Sequence, residues 1–160
     1  KGRYLGNTGG NSMFDKFNQH WRDHLDQGII TKEEYINTTF AQHYRTVEEF
    51  CAPFKDKMSE VSKAGLKLLS CSTKLTKCPY RETYEKNIRS MSKKDFADSL
   101  IPTTRSWSET VFRTALDKRN EHESDKIINS FYENYRAEVE RDPDGHAMDY
   151  IHIIMEIEKL

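Results

Sequence analysis

Near the end of the chain, the stretch from Met148 to Ile157 carries apolar side chains at both parities: Ile151, Ile153, Met155 and Ile157 on one face of an extended strand, Tyr150, His152 and Ile154 on the other. A strand apolar on both faces needs cover on both, as in the interior of an α/β sheet. A second strand is predicted at Gly65-Leu66-Lys67-Leu68-Leu69-Ser70-Cys71, a short apolar run bounded by glycine. Two strands cannot bury themselves from both sides, so the expectation is part of a larger sheet. The opening Lys1-Gly2-Arg3-Tyr4, with no initiator methionine, agrees with a piece of a longer chain.

Most of the rest reads as helix. Met13, Phe14, Phe17, Trp21 and Leu25 recur at three- and four-residue spacing, with Asn11 or Ser12 to cap the start and Gly28 to stop the end. Thr31 with Glu34, and Thr46 with Glu49, have the form of capping boxes, in which each side chain satisfies a backbone donor at a helix start. The second box starts a helix at Val47 whose apolar stripe is Val47, Phe50, Cys51, Phe54, Met58 and Val61, with Pro53 near its first turns. Between Phe40 and that box, Gln42, His43, Tyr44 and Arg45 form a joint able to face a cleft. Further helices are predicted around Tyr80 to Arg89, from a Ser92–Asp95 start, after Pro102 through Trp107, Val111, Ala115 and Leu116, and from Asp125 through Ile127, Ile128, Phe131, Tyr135 and Val139. Pro143-Asp144-Gly145 makes a turn before the last strand.

Charge and cysteine usage narrow the function. A net charge of -1, from 25 basic and 26 acidic residues, disfavours nucleic acid and anionic membranes as partners. The longest apolar run is interrupted by His152 and Glu156 and is too short to span a bilayer. Cys51, Cys71 and Cys78 match neither a zinc ribbon nor a disulfide framework, and reduced thiols in the cytoplasm are the expectation. Gly6-Asn7-Thr8-Gly9-Gly10 lacks both the GxGxxG spacing and a P-loop lysine, and reads as a connector. His20 and His24 lie one helical turn apart, without a third ligand, and read as a solvent-exposed pair; no metal is expected. Cys78, with no assignable histidine, reads as structural. A tryptophan such as Trp107 serves a core or walls a pocket for a flat substrate.

Read in order, Met13-Phe14 to Trp21, Gln27-Gly28-Ile29-Ile30, Thr31-Lys32-Glu33-Glu34, Phe40, Tyr44, Thr46-Val47-Glu48-Glu49, Gly65-Leu66, Arg105-Ser106-Trp107-Ser108-Glu109, the Ile128 to Tyr135 helix and the final strand form a series. In that series the chain resembles the C-terminal half of the SABATH methyltransferases. These are the salicylate, benzoate and theobromine type enzymes that move a methyl group from S-adenosylmethionine to a small carboxylic acid or ring nitrogen. It departs from the plant pattern at His43, where a Pro-Gln-Tyr phrase is expected, and at Trp107, where a smaller apolar residue is usual.

The resemblance implies an α/β fold: the C-terminal part of a Rossmann-like methyltransferase core, with a helix and about two strands, under a mostly helical active-site cap. Residues 1-45 would begin the cap, 46-75 supply the core helix and strand, 76-142 complete the cap, and 143-160 hold the final core strand. The matching cap positions make Met13, Phe14, Tyr44, Thr104 and Trp107 the expected acceptor contacts, with Tyr150 beside them. No catalytic residue is assigned: a carboxylate acceptor is already ionised, and orientation with water exclusion carries the rate, well-oriented reactions reaching effective molarities of about 10⁵ to 10⁸ M. The cofactor site would lie upstream of Lys1. The expected partners are a small-molecule methyl acceptor and a second copy in a homodimer. A non-catalytic helical module that docks a partner through its aromatic faces is the competing expectation.

Overall fold

The computed structural model describes residues 13–41 and 44–160. It is mixed α/β, and its described residues divide between a helical body and a two-stranded antiparallel ribbon carrying short helices on one side.

The body begins with α1 (Met13–Asp26), which presents Met13, Phe17, Trp21 and His24 inward. Gly28 ends it at φ 69°, a left-handed conformation that glycine adopts without a Cβ penalty. The expected caps Asn11 and Ser12 and the glycine loop lie outside the described residues. Helix α2 (Lys32–Asn37) opens on the Thr31–Glu34 capping box, and α5 (Pro79–Lys86) begins at Cys78. The long helices α6 (Lys93–Ala115) and α7 (Glu121–Arg141) are joined by a short connection and pack as a hairpin. Phe17 and Trp21 of α1 insert against it: the Phe112 and Phe131 rings are 4.3 Å apart, and Trp21 sits 4.9 Å from Phe112. Phe96, Leu100, Leu116, Ile128 and Val139 complete this core.

The sequence pattern predicts a new helix after Pro102. The structure instead runs one helix through it, with Pro102 exposed. The amide lost at Pro102 frees the carbonyl one turn back at Asp98, itself exposed and within reach of water.

In the other region, α3 (Val47–Lys55) starts on the Thr46–Glu49 capping box, contains Pro53 and stops at Asp56. The predicted stripe therefore breaks: Met58 is 73% exposed in the linker, and Val61 belongs to a separate turn, α4 (Glu60–Lys63). Gly65, at φ 72°, swings the chain into β1 (Leu66–Thr76), which extends past the predicted Cys71. The final strand β2 is Tyr150–Lys159; Met148, expected in it, is buried in the helical core instead. A bulge at Leu69 shifts the register between Leu68↔Ile157 and Ser70↔Glu156.

That register corrects the expected burial on both faces. Beyond the bulge, Cys71/Met155, Thr73/Ile153 and Leu75/Ile151 share the face that α3 approaches, while Ser70/Glu156, Ser72/Ile154, Lys74/His152 and Thr76/Tyr150 share the other. β2 read alone is apolar both ways, but β1 lines the second face with Ser, Lys and Thr. Ile151 and Ile154 stay 50% exposed.

Candidate functional site

Two of the six expected contact residues meet. Phe14 of α1 and Trp107 of α6 stand edge to face at 6.1 Å, and Phe40, arriving after α2, lies 5.2 Å from Phe14 and 6.3 Å from Trp107. Phe17 backs all three rings at 5.8 to 6.3 Å. Helical spacing aims Phe14 and Phe17 from neighbouring faces of α1. Phe14, Phe40 and Trp107 are half-buried against the core, so together they form an aromatic wall at its margin.

Beside this wall is a cavity of about 70 Å³, bounded by Phe14, Phe17, Trp21, Phe40 and Phe112 with Asn18, Tyr35 and Thr38 as its polar members. Those polar groups are engaged. Trp21 Nε1 donates to Thr38 Oγ1 at 2.8 Å, and the Tyr35 hydroxyl donates to Asn18 at 2.6 Å while accepting from Arg22 at 3.0 Å. Trp107 Nε1, by contrast, is buried with no hydrogen-bond partner among the described residues. Such a donor costs about 1–3 kcal/mol while unsatisfied, and an acceptor atom placed there would relieve the cost.

The other expected contacts lie elsewhere. Met13 is 2% exposed, and Thr104 is fully buried, donating to Leu100 O at 3.0 Å and to Met148 Sδ at 3.4 Å; both are core residues. Tyr44 is 58% exposed and lines an open groove of about 640 Å³ with Arg45, Phe50, Ile151, His152, Ile153 and Met155, while Arg45 rests 5.9 Å over the Phe50 ring. Tyr150, on the far face of the ribbon, stacks on His152 at 6.1 Å. The joint residues Gln42 and His43 lie outside the described residues.

Sequence reasoning missed two buried polar groupings. Under the wall, Ser108 donates to Thr104 O at 2.6 Å and shares a 2.7 Å hydrogen bond with the Tyr132 hydroxyl, whose burial holds the phenol well above its usual pKa. Ser108 lies one turn after Thr104, a spacing visible in the sequence, but nothing there identifies Tyr132 as the partner.

Between α1 and α7, Glu138 accepts from Lys16, lies 2.6 Å from His20 Nε2 and faces His146 at 4.0 Å. His20 is thus half-buried in an ion-pair cluster, and His24 is fully buried with Nδ1 on His20 O at 2.9 Å. The exposed pair expected from their spacing is not found, because the aromatic face of α1 is wide enough to carry both rings inward. Burial works to raise the Glu138 carboxyl, but the Lys16 and His20 contacts outweigh it and hold the group below the usual carboxylate range, while burial pushes His146 down to about 4. Held by Lys16 and His20 together, Glu138 is an engaged counter-ion, unsuited to abstracting a proton.

Among the described residues no group of three or more His, Cys, Asp or Glu could hold a metal ion, and no helix is long and apolar enough to cross a membrane. The aromatic wall offers flat apolar surface and the Trp107 N–H, and among the described residues that form it there is no acid–base pair or nucleophile. No protein-family model matches the chain, and no curated protein matches it.

Proposed function

We propose that this chain forms the acceptor-binding part of a cytoplasmic, SABATH-type methyltransferase, acting by carboxyl O-methylation of a small molecule, with α3, β1 and β2 belonging to a Rossmann-like core. The observation that carries the reading is the convergence of Phe14, Phe40 and Trp107, from three separate elements, on one half-buried wall whose indole N–H has no partner among the described residues. The ribbon supports it from the other side: exposed Ile151, Ile154 and Ile157 leave room for the strands and helices that such a core adds.

S-adenosylmethionine would supply the methyl group. β1 runs through Lys77 to Cys78-Pro79 and α5 without a glycine-rich turn. The described residues do not fit the cofactor, and no step is assigned to them at it. Their share is to wall the acceptor ring, fix the direction of its carboxylate and keep water out, which lowers the barrier without a general base.

The test is calorimetry and kinetics on the complete polypeptide with S-adenosylmethionine and benzoate. Cofactor binding, together with a Trp107→Ala variant that keeps it but binds the acceptor roughly tenfold more weakly, is the expected result. Absent cofactor binding, or unchanged acceptor kinetics in the variant, overturns the reading.

One observation favours a non-catalytic helical interaction module instead: the cavity, about 70 Å³, is far below the roughly 300–1,000 Å³ of ordinary ligand pockets. A module predicts no saturable cofactor binding and a stable monomer from these 160 residues.

A further inference from the structure

Cys51 is the buried residue of α3 and faces the ribbon that the helix packs on. Cys71 lies on β1, half-buried and opposite Met155, on the face that α3 covers. The two thiols are neighbours, and both are free. Cys78, the third cysteine, is fully buried in the helical core and serves as an internal reference.

We infer that Cys51 and Cys71 form a closable redox pair, oxidised to a disulfide by a low-molecular-weight disulfide such as oxidised glutathione, and that closure clamps α3 to the ribbon. The thiolate of Cys71, the more accessible of the two, attacks one sulfur of the small disulfide. That S–S bond breaks, one small thiolate leaves and takes up a proton, and a mixed disulfide stands on Cys71. The Cys51 thiolate then attacks Cys71 Sγ, the mixed disulfide breaks, and the second small thiol departs. Two protein thiols lose two protons and two electrons, and the oxidant is reduced to two thiols that carry them.

Placement gives the clamp its leverage. Among its own residues α3 buries only Cys51, and it is followed by the exposed linker at Met58, so little else holds the helix down. The same helix carries Phe50, which lines the groove with Tyr44, so closure fixes one wall of that groove. Burial and the neighbouring Cys51 raise the Cys71 thiol above its ordinary pKa, so closure is slow near neutrality and accelerates as pH rises.

The experiment incubates the reduced protein with oxidised glutathione, quenches with acid, counts free thiols and maps unreduced peptides. Free thiols are expected to fall from three to one, with the Cys51 and Cys71 peptides joined and α3 amide exchange slowed roughly tenfold. Cys51→Ala is expected to stop at the glutathione adduct on Cys71. Persistent adducts on the unmodified sequence without the 51–71 link, pairing through Cys78, a cross-linked dimer, or no oxidation at either cysteine would each overturn the inference.

Discussion

The helical body and the ribbon are built from similar apolar side chains but bury them very differently. In the body, Phe17 alone makes ring contacts with Phe14, Phe40, Trp107, Phe112, Phe131 and Tyr135, and the Phe96, Phe131 and Ile128 side chains are fully buried. In the ribbon, Ile151 and Ile154 are half exposed, and α3 with α4 gives one face partial cover. The body closes because three helices converge and each supplies aromatics to a shared interior. Two strands have helical cover from α3 and α4 on one face alone and two outer edges unpaired among the described residues, so hydrophobicity without a second layer leaves them open. The aromatic wall stands on the body, where Phe17 and the core behind it hold its rings.

Breaking this contrast starts in the body. Phe131→Ala removes a fully buried ring from the Phe112–Trp21–Phe17 cluster and should lower unfolding free energy by about 3–5 kcal/mol in denaturant titrations, with α1, α6 and α7 lost together. A loss under about 1 kcal/mol would show that this core is not the seat of stability.

Acid separates the regions next. His146 has a folded pKa of about 4 against an ordinary 6.5, so between those values the unfolded chain binds more protons and stability falls as pH falls. The loss reaches about 3 kcal/mol by pH 4, at roughly 1.4 kcal/mol per unit. Glu138, held below its ordinary range, adds to the loss at still lower pH, as protonation of its carboxylate removes the ion pair to Lys16. Denaturation at pH 7 and pH 4.5 should show the body weakening, and His146→Gln should flatten the slope in that window.

A smaller effect attends the pairing of Arg119 with Glu34. That guanidinium ties α2 to the α6–α7 connection, donating also to Ile29 O at 3.1 Å, and it holds Glu34 at a pKa of about 2. Arg119→Ala should cost about 1–2 kcal/mol at pH 7, and the difference from the unaltered protein should shrink as pH drops through about 2, where Glu34 is protonated in both states, to the part that rests on Ile29 O. The ribbon should respond least: Ile154→Ser, on the half-exposed face, should change unfolding free energy by no more than about 0.5 kcal/mol. A loss of several kcal/mol there would mean that the ribbon's outer face is covered.

What could be read in advance follows the range of each interaction. The Thr31–Glu34, Thr46–Glu49 and Ser92–Asp95 capping boxes are complete within four residues, and all three form as their spacing predicts. The positive φ of Gly28 and the apolar spacing of α1 are likewise local. Reading failed where the outcome rests on a distant partner. Tyr150 to Ile157 looks doubly apolar until Ser72, Lys74 and Thr76 are set opposite it. His20 and His24 look exposed until Glu138 and the Phe131 ring arrive from α7. Of the candidate site, Trp107 was legible as a residue of a core or a pocket wall, Phe14 was expected beside it only through the resemblance, and the two rings meet. Met13 and Thr104, expected beside them, are buried because α1 and α6 turn those positions to the interior, a rotation that residue type does not specify.

The division between a finished body and an unfinished ribbon is most directly tested by native-state hydrogen exchange on these 160 residues, followed peptide by peptide. Amides of α6 and α7 should exchange only through global unfolding, while β1 and β2 exchange at least a hundredfold faster, roughly 3 kcal/mol below the global free energy. Protection of β1 and β2 equal to that of α6 and α7 would contradict the account.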